Sequence, residues 1–235
     1  MHPVPKPILC YVTDRHALDC APTPAVRNAD LPEAALQTPI ALRDAIRNAA
    51  TAGMDWIQIR EKDFQGRALS ELTRFAVEDT RGSGARILIN DRLDVAVATG
   101  AHGVHLGGTS FPVDAVVQWR RSAHRTDFLI GVSCHSLENA REAERKGAGY
   151  AFFGPIFATP SKAAFGPPQG IERLREVCAA VSIPVLAIGG IDLQNASECI
   201  AAGAAGVAAI RMFQDARDLA AVVARLHALP AAYMA

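Results

Sequence analysis

The stretch TGAHGVHLG, residues 99–107, decides the fold because the chain repeats its pattern three more times. The other copies are AGMDWIQIR at 52–60, KGAGYAFFG at 146–154 and AGAAGVAAI at 202–210. In each copy a glycine precedes a short apolar run, and these glycines are Gly53, Gly100, Gly147 and Gly203. Glycine is typical of the left-handed residue that ends a helix, and the run is short enough for a buried strand. Each copy therefore predicts a helix end, a tight turn and a strand.

Four further apolar runs lie between these copies and bring the predicted number of strands to eight. They are ILCYV at 8–12, RILIN at 86–90, FLIGVS at 128–133 and PVLAIGG at 184–190. Helical stretches separate most of the strands, for example 68–84 and 136–147, and Ser136 is a candidate N-cap for the second of these helices. Continuous apolar strands that alternate with helices are typical of a parallel sheet that is covered on both faces.

Eight such units predict an α/β protein with a (β/α)₈ TIM barrel. The alternative, a doubly wound open sheet, usually has fewer strands and a phosphate-binding fingerprint after its first strand. The chain of 235 residues has the length of one barrel, so we predict a single TIM-barrel domain over 1–235. The segment 17–39 is rich in proline and lacks periodicity, which predicts a long first βα loop rather than a linker between domains.

The composition argues against several classes of function. The chain carries 24 basic and 24 acidic side chains, so it has no electrostatic footprint for nucleic acid or for a membrane surface. It has no apolar run of about 18 residues that could span a bilayer, and its N-terminus does not resemble a secretory signal. The five cysteines are widely spaced without a C-x-x-C pair, which predicts reduced thiols in a cytoplasmic protein. The sequence leaves a homo-oligomer open.

Catalytic residues of a barrel lie at the carboxyl ends of its strands, so the polar residues that follow each apolar run are the candidates. In chain order they are Thr13, Asp14, Arg15, Arg60, Glu61, Lys62, Asp63, Asn90, Asp91, Arg92, the loop 107–112, Ser133, Cys134, His135, Thr159, Ser161, Lys162, Gly189, Gly190 and Arg211. Among them Arg60, Lys62 and Lys162 place three cations at one rim. Loops after strands seven and eight of barrels often bind phosphate through backbone amides. The predicted ligand is a phosphate or diphosphate ester.

Several of these residues have two interpretations. His135 follows a strand and precedes a helix, so it is either a proton carrier or a residue that packs locally. Cys134 is its neighbour, but adjacent strand residues point to opposite faces, which disfavours a Cys–His dyad. His105 lies within strand four and faces either the barrel or a helix, and we assign it a structural role. Asp91 forms a salt bridge with Arg92 or a nearby loop, or it holds Mg²⁺ beside phosphates.

At this point the motifs resemble a known superfamily, that of thiamine phosphate synthase and thiazole tautomerase. The similar stretches, in order and spacing, are YVTD, IQIREKD, LINDRLDVAVATGAHGVHLG, IGVSCHSLENAREAERKGAGYAFFGPIFATPSK and IPVLAIGGI, which fall within about residues 8–213. The resemblance implies a (β/α)₈ barrel. In the synthase, a hydroxymethylpyrimidine diphosphate loses diphosphate, and the thiazole phosphate nitrogen captures the resulting pyrimidine cation. Such a dissociative step needs positive charge, from cations and Mg²⁺, at the leaving group.

The resemblance also implies a role for each matching residue. Around the diphosphate it implies that Arg60 and Lys62 bind this group, Asn90 binds the diphosphate or the pyrimidine, Asp91 holds Mg²⁺, Ser133 lies near the reacting group, and Thr159, Ser161 and Lys162 close a loop over it. For the thiazole phosphate it implies Gly189, Gly190, Ile210 and Arg211. The residues in catalytic roles are Lys62, Ser133, His135 and Lys162.

Two positions depart from the synthase pattern. The loop after strand four usually reads G-Q-x-D and supplies a second Mg²⁺ ligand, whereas this chain has GGTS, with Gly108 at the glutamine and Ser110 as a weak ligand at the aspartate. Arg211 stands where a small residue is usual. The tautomerase resembles this chain in the strand-four loop and has a histidine that matches His135.

Asp91 and Lys62, in contrast, match the synthase. The sequence therefore favours a thiamine phosphate synthase, a transferase whose use of Mg²⁺ is left open by the missing second carboxylate. A thiazole tautomerase, which isomerises thiazole carboxylate phosphate by proton transfer, and a non-catalytic barrel that binds thiamine precursors are the alternatives. In each case the partners are phosphorylated pyrimidine or thiazole compounds.

Overall fold

The structure is a computed structural model that describes residues 6–18, 40–159 and 167–230. Within these ranges eight parallel strands close into a barrel in chain order. The strands are β1 Ile8–Val12, β2 Trp56–Ile59, β3 Arg86–Asn90, β4 Gly103–Leu106, β5 Leu129–Cys134, β6 Tyr150–Phe153, β7 Val185–Ile188 and β8 Gly206–Ala209. The predicted (β/α)₈ architecture is confirmed.

Helices follow the strands and cover the outside of the barrel. They are α1 Ile40–Thr51, α2 Gly66–Asp79, α3 Leu93–Thr99, α4 Val113–Ser122, α5 Leu137–Arg145, α6 Gly170–Ala180, α7 Ala196–Ala201, α8 Arg211–Gln214 and α9 Leu219–His227. A short 3-10 helix, Arg15–Ala17, follows β1. Most of the predicted first loop, 19–39, lies outside the described residues, as do Ser161 and Lys162. No helix in the described ranges has both the length and the apolar character to cross a membrane.

The glycines of the four-fold repeat adopt the predicted conformation. Gly53, Gly100, Gly147 and Gly203 have φ angles of 90°, 72°, 88° and 103°. These values lie in the left-handed region, which costs glycine little because it has no Cβ atom. Each glycine lets the chain turn out of a helix and enter the next strand within a few residues.

The helix boundaries follow local capping signals. The hydroxyl oxygen of Ser136 accepts a hydrogen bond from the Asn139 amide at 3.1 Å, so the predicted N-cap of α5 is present. The helix predicted over 68–84 ends earlier, at Asp79, and is followed by a turn in which Gly82 and Gly84 both have φ of 84°. Two glycines in this conformation are incompatible with a continuing helix.

Side chains alternate between two apolar layers along each strand. The barrel interior contains Cys10, Val12, Leu88, Tyr150, Phe152, Leu186 and Ala208, while a larger core lies between strands and helices. The aromatic rings of the interior fit because glycine faces them: a Cβ atom on Gly131 would lie 1.9 Å from Cζ of Tyr150. Rings therefore fill much of the space inside the barrel.

The four described cysteines, Cys10, Cys134, Cys178 and Cys199, are free thiols. Burial raises the pKa of Cys134, Cys178 and Cys199 to about 12. These thiols are therefore protonated near neutral pH and poorly nucleophilic.

An ion pair between α1 and α2 gives a prediction about stability. The guanidinium of Arg43 donates to Asp79 at 2.6 and 2.9 Å, and this contact holds the pKa of the Asp79 carboxyl below its usual range. We expect Asp79→Asn to lower the free energy of unfolding by about 1–2 kcal/mol at pH 7. Because the pKa is lower in the folded state, the contribution is complete above about pH 4 and is lost as the pH falls through the lowered pKa.

Urea denaturation at pH 7 and pH 3 measures this effect. Asp44→Asn is a matched control, because Asp44 is half exposed and pairs only with Arg47, at 3.1 Å, in the described part of the chain. Equal losses for both variants at both pH values would contradict the prediction.

Candidate active site

Polar side chains that face the barrel axis meet near the carboxyl ends of β2 to β5. Nε2 of Gln58 donates to Oδ1 of Asn90 at 2.9 Å, which links β2 to β3. Nε2 of His105 lies 2.9 Å from Oγ of Ser133, which links β4 to β5. In chain order these strands are neighbours in the barrel, so the two pairs lie along one arc of its wall. Of the predicted residues, the structure brings Asn90 and Ser133 to this arc.

Asp91 is held at the rim by hydrogen bonds on both oxygens. Its Oδ2 accepts from Nδ2 of Asn90 at 2.7 Å, and its Oδ1 accepts from the Gly107 amide at 2.9 Å. The Ser110 hydroxyl donates to the same Oδ1. The backbone of Asp91 has φ of 62°, which is uncommon for a residue other than glycine and turns the chain sharply after β3. Asp91 and Ser110, the two predicted metal ligands, are therefore in contact.

Of the two predicted alternative partners of Asp91, the nearby loop is in contact with it through Gly107 and Ser110, whereas Arg92 pairs with another residue. Nη2 of Arg92 lies 2.6 Å from Oδ2 of Asp94, two residues further along. The described residues also contain no group of three or more His, Cys, Asp or Glu side chains that could hold a metal ion. Asp91 and the Ser110 hydroxyl are the predicted metal ligands that lie together at this rim.

Gln58 is a site residue that the sequence reasoning missed, because the search began after each strand and Gln58 lies inside β2. It is only 2% exposed, and its Oε1 has no hydrogen-bond partner among the described residues. A buried unsatisfied polar atom is costly, and such atoms are often ligand contacts. The sequence signal for Gln58 is a polar residue within the apolar run WIQI. It lies two residues after Trp56 and therefore on the same face of β2, which points into the barrel.

Arg15 binds the acidic residues of the loop after β2. Its guanidinium donates to both oxygens of Asp63, and its Nη1 lies 3.3 Å from Oε2 of Glu61. The Thr13 hydroxyl donates to Oε1 of Glu61 at 2.7 Å. The contact with Arg15 holds the pKa of the Asp63 carboxyl well below its usual range. We call Thr13, Arg15, Glu61 and Asp63 the β1–β2 latch.

The latch leaves the neighbouring cations unpaired. Arg60 and Lys62 alternate with Glu61 and Asp63, and neither has an ion-pair partner in the described part of the chain. Arg60 lies two residues beyond Gln58 and therefore continues the face that points to the barrel axis. A cation without a carboxylate partner at this position is available to an anionic ligand.

His135 lies at the carboxyl end of β5 with its side chain exposed. Its Nδ1 lies 2.5 Å from the Gly154 carbonyl oxygen, and because a carbonyl only accepts, Nδ1 carries a proton. Nε2 of the neutral ring is then an acceptor. The neighbouring Cys134 packs in the outer core and is buried, so the two residues do not form a catalytic dyad.

The glycines after β7 allow the loop after β6 to pack closely. Gly189 and Gly190 have φ of 96° and 69°, and a Cβ atom on Gly190 would lie 2.8 Å from the Ala158 carbonyl oxygen. The Phe157 amide donates to the Gly189 carbonyl at 3.0 Å. These contacts position the loop that leads to Thr159, the last described residue before the gap.

Strand β8 ends beside Ile210 and Arg211. Ile210 packs against the interior core, while Arg211 begins α8 and is exposed. Arg211 has no ion-pair partner within the described ranges, so it is a third rim cation beside Arg60 and Lys62. The arrangement therefore offers unpaired cations, one oriented carboxylate and several hydroxyl groups. This set suits the binding of phosphate esters and the stabilisation of negative charge on a leaving group.

Comparisons with known proteins agree with this chemistry. A sequence profile of the family described as thiamine monophosphate synthase matches residues 34–213. Thiamine-phosphate synthase of Moorella thermoacetica is 43% identical over 183 residues, which are 78% of this chain and 85% of that protein. Thiamine-phosphate synthase of Chlorobium luteolum is 40% identical over 205 residues, which are 87% of this chain and 84% of that protein.

Solved structures of known proteins also resemble this chain. Thiamine phosphate pyrophosphorylase from Pyrococcus furiosus superposes with a TM-score of 0.74 at 33% identity and covers 94% of both chains. A 3-hexulose-6-phosphate synthase superposes with a TM-score of 0.61 at 18% identity, which shows a shared fold alone. The resemblance drawn from the motifs is confirmed: the chain belongs to the thiamine monophosphate synthase family.

Proposed function

We propose that the protein is a thiamine-phosphate synthase, a transferase that joins hydroxymethylpyrimidine diphosphate and thiazole phosphate to give thiamine phosphate and diphosphate. One observation carries the proposal: the β1–β2 latch engages Glu61 and Asp63, and within the described ranges it leaves Arg60 and Lys62 without an ion-pair partner at the rim. Unpaired cations beside the carboxylate of Asp91 are what a diphosphate leaving group requires. The names of the relatives support the synthase rather than the tautomerase.

In this reaction the bond between the pyrimidine methylene carbon and the diphosphate oxygen breaks, and the oxygen keeps the electron pair. Arg60 and Lys62 bind the diphosphate and stabilise the charge that develops on it. Ser133 donates a hydrogen bond to the same group from β5, at the other end of the arc. Thr159, Ser161 and Lys162 follow β6 in the chain, and we assign them to the same group; Ser161 and Lys162 lie outside the described residues.

The pyrimidine ring binds between Gln58 and Asn90. Oε1 of Gln58 is a buried acceptor that lacks a partner among the described residues, so an N–H of an amino substituent on the pyrimidine satisfies it. Asn90 fixes the Gln58 amide through the 2.9 Å hydrogen bond. The ring is thereby oriented with its reactive carbon toward the rim.

The thiazole phosphate binds at the carboxyl ends of β7 and β8. Backbone amides of Gly189, Gly190 and Ile210 donate to its phosphate, and Arg211 adds a charge-assisted contact. The thiazole nitrogen then forms the new C–N bond with the pyrimidine cation. This C–N bond formation releases no proton, so His135, whose Nε2 is the acceptor, serves as a proton carrier only in the tautomerase alternative.

Asp91 and Ser110 fit a Mg²⁺ ion, because Mg²⁺ prefers hard oxygen ligands and is usually held by one or two carboxylates together with substrate phosphates. When bound, Mg²⁺ neutralises negative charge on the diphosphate. Asn90 and the Gly107 amide orient the Asp91 carboxylate for this role.

The replacement of a carboxylate by Ser110 gives a prediction. We expect Ser110→Asp to tighten Mg²⁺ binding in the presence of diphosphate by about 10-fold, since a second carboxylate adds charge to the site. Isothermal titration calorimetry measures the affinity without reference to activity. Thr109→Asp is the matched control, because Thr109 is exposed and its side chain makes no described contact with Asp91. Equal gains for both variants would contradict a direct role of position 110.

The function is tested by incubating the protein with both substrates, with and without Mg²⁺, and measuring thiamine phosphate and released diphosphate. Equimolar formation of the two products is the expected result. A parallel assay with thiazole carboxylate phosphate detects tautomerase activity. Isomerisation without thiamine phosphate would replace the proposal by the tautomerase, and binding without either reaction would replace it by a non-catalytic barrel.

A further inference from the structure

A hydrogen-bonded chain inside the barrel connects Tyr150 to the rim hydroxyl of Ser133. His105, only 2% exposed, lies between them, with Nδ1 3.1 Å from the Tyr150 hydroxyl and Nε2 2.9 Å from Oγ of Ser133. The His105 ring packs against Phe152, with ring centroids 4.2 Å apart. Its position is therefore fixed by packing as well as by hydrogen bonds.

Tyr150 is fixed in the same way. It is fully buried, its ring lies 4.7 Å from that of Trp56, and it fills the space above Gly131. Burial raises the pKa of Tyr150 well above its ordinary value, so the phenol keeps its proton. A buried O–H group without an acceptor destabilises the folded protein more than a hydroxyl lone pair without a donor does. This asymmetry favours a phenol that donates to Nδ1 of His105.

The direction of the remaining hydrogen bonds follows. If Nδ1 accepts, the neutral imidazole carries its proton on Nε2, and Nε2 donates to Oγ of Ser133. Ser133 is half-buried and faces the rim. With its oxygen already engaged as an acceptor, its own proton is directed toward the ligand.

We propose that His105 is a positioning residue that, held by Tyr150 in its Nε2–H form, makes the Ser133 hydroxyl a hydrogen-bond donor to the anionic leaving group. The inference rests on the proposed function for the identity of that group. It changes the role predicted for His105 from purely structural to one that acts through Ser133. The donor is oriented before the ligand arrives, so the site does not reorganise when charge develops.

Two amide variants separate positioning from packing. The Nε2 atom of glutamine overlays Nε2 of histidine, so His105→Gln keeps a donor toward Ser133. Asparagine is shorter, and its Oδ1 overlays Nδ1 of histidine. His105→Asn therefore keeps an acceptor for the Tyr150 hydroxyl and loses the contact with Ser133. We expect His105→Gln to retain kcat within about 10-fold and His105→Asn to lose about 100-fold, with KM for the diphosphate substrate changed less than about 3-fold in both. Equal losses in kcat would overturn the proposal.

The wild-type protein gives a measurement that does not depend on activity or on the folding of a variant. Nitrogen-15 NMR of histidine-labelled protein at pH 8 distinguishes the two neutral tautomers, and the His105→Gln spectrum identifies the His105 signals. A proton on Nε2 is expected; a proton on Nδ1, or on both nitrogens, would overturn the proposal. If the tautomer is as expected but no thiamine phosphate forms, the hydrogen-bonded chain stands and the proposed function fails.

Discussion

Replacing Arg60 with alanine is expected to lower kcat/KM for thiamine phosphate formation by about 10²–10³-fold. Arg60 directly follows β2 and continues its axis-facing side, and it has no ion-pair partner in the described part of the chain. Its charge is therefore available to the diphosphate both on binding and as the C–O bond breaks. Steady-state kinetics with the diphosphate substrate varied and the thiazole phosphate saturating measure the effect.

The control is Arg74→Ala, because Arg74 likewise has no ion-pair partner among the described residues but is exposed on α2, away from the rim. It is expected to leave kcat/KM unchanged. Arg60→Lys keeps the charge but loses the planar, bidentate geometry, so an intermediate loss is expected. A loss for Arg74→Ala equal to that for Arg60→Ala would indicate a general effect of surface charge and contradict the assignment.

Gly206→Ala is expected to lower the free energy of unfolding by about 3 kcal/mol. A Cβ atom at this position would lie 1.9 Å from the Ile8 carbonyl oxygen and 2.7 Å from its carbonyl carbon. Ile8 is the register partner of Gly206 where β1 meets β8, so relief of the clash requires the two strands that close the barrel to separate. Urea denaturation followed by circular dichroism measures the loss.

Gly149→Ala is the matched control for this variant. A Cβ atom on Gly149 would lie 3.5 Å from the Ile130 carbonyl oxygen, which is an ordinary van der Waals contact. We expect a change of less than about 1 kcal/mol there. If both variants lose the same stability, the close approach at the β1–β8 seam is not what requires glycine at position 206.

The strands were predictable from the sequence because their signals are local. A left-handed glycine and a short apolar run are adjacent in the chain, and both are properties of the segment itself. The end of α2 was missed, since the helix was predicted to continue to Gly84, whereas it ends at Asp79, just before the turn that contains the left-handed Gly82 and Gly84. Local sequence patterns therefore predicted where the strands and helices lie better than they predicted the residues at which these elements end.

The site was predictable only in part. Asn90 and Ser133 lie at the carboxyl ends of β3 and β5, and Asp91 follows β3, so the rule that barrel chemistry lies at the carboxyl ends of the strands selected them as candidates. Gln58 and His105 lie within strands, and whether they face the barrel or a helix depends on register across neighbouring strands. The pairing of Arg15 with Asp63 joins residues 48 positions apart in the chain. Such contacts arise from closure of the barrel and have no local signature.

The β1–β2 latch has a consequence for how substrates reach the protein. The segment REKD is neutral when its charges are summed, but its carboxylates bind Arg15 and Thr13, while its two cations have no ion-pair partner among the described residues. A chain with no net charge thus creates a local positive field that attracts phosphate esters over a Debye length of about 8–10 Å. The rate at which phosphate esters bind is accordingly expected to fall as ionic strength rises, a dependence that the neutral overall charge of the chain does not predict.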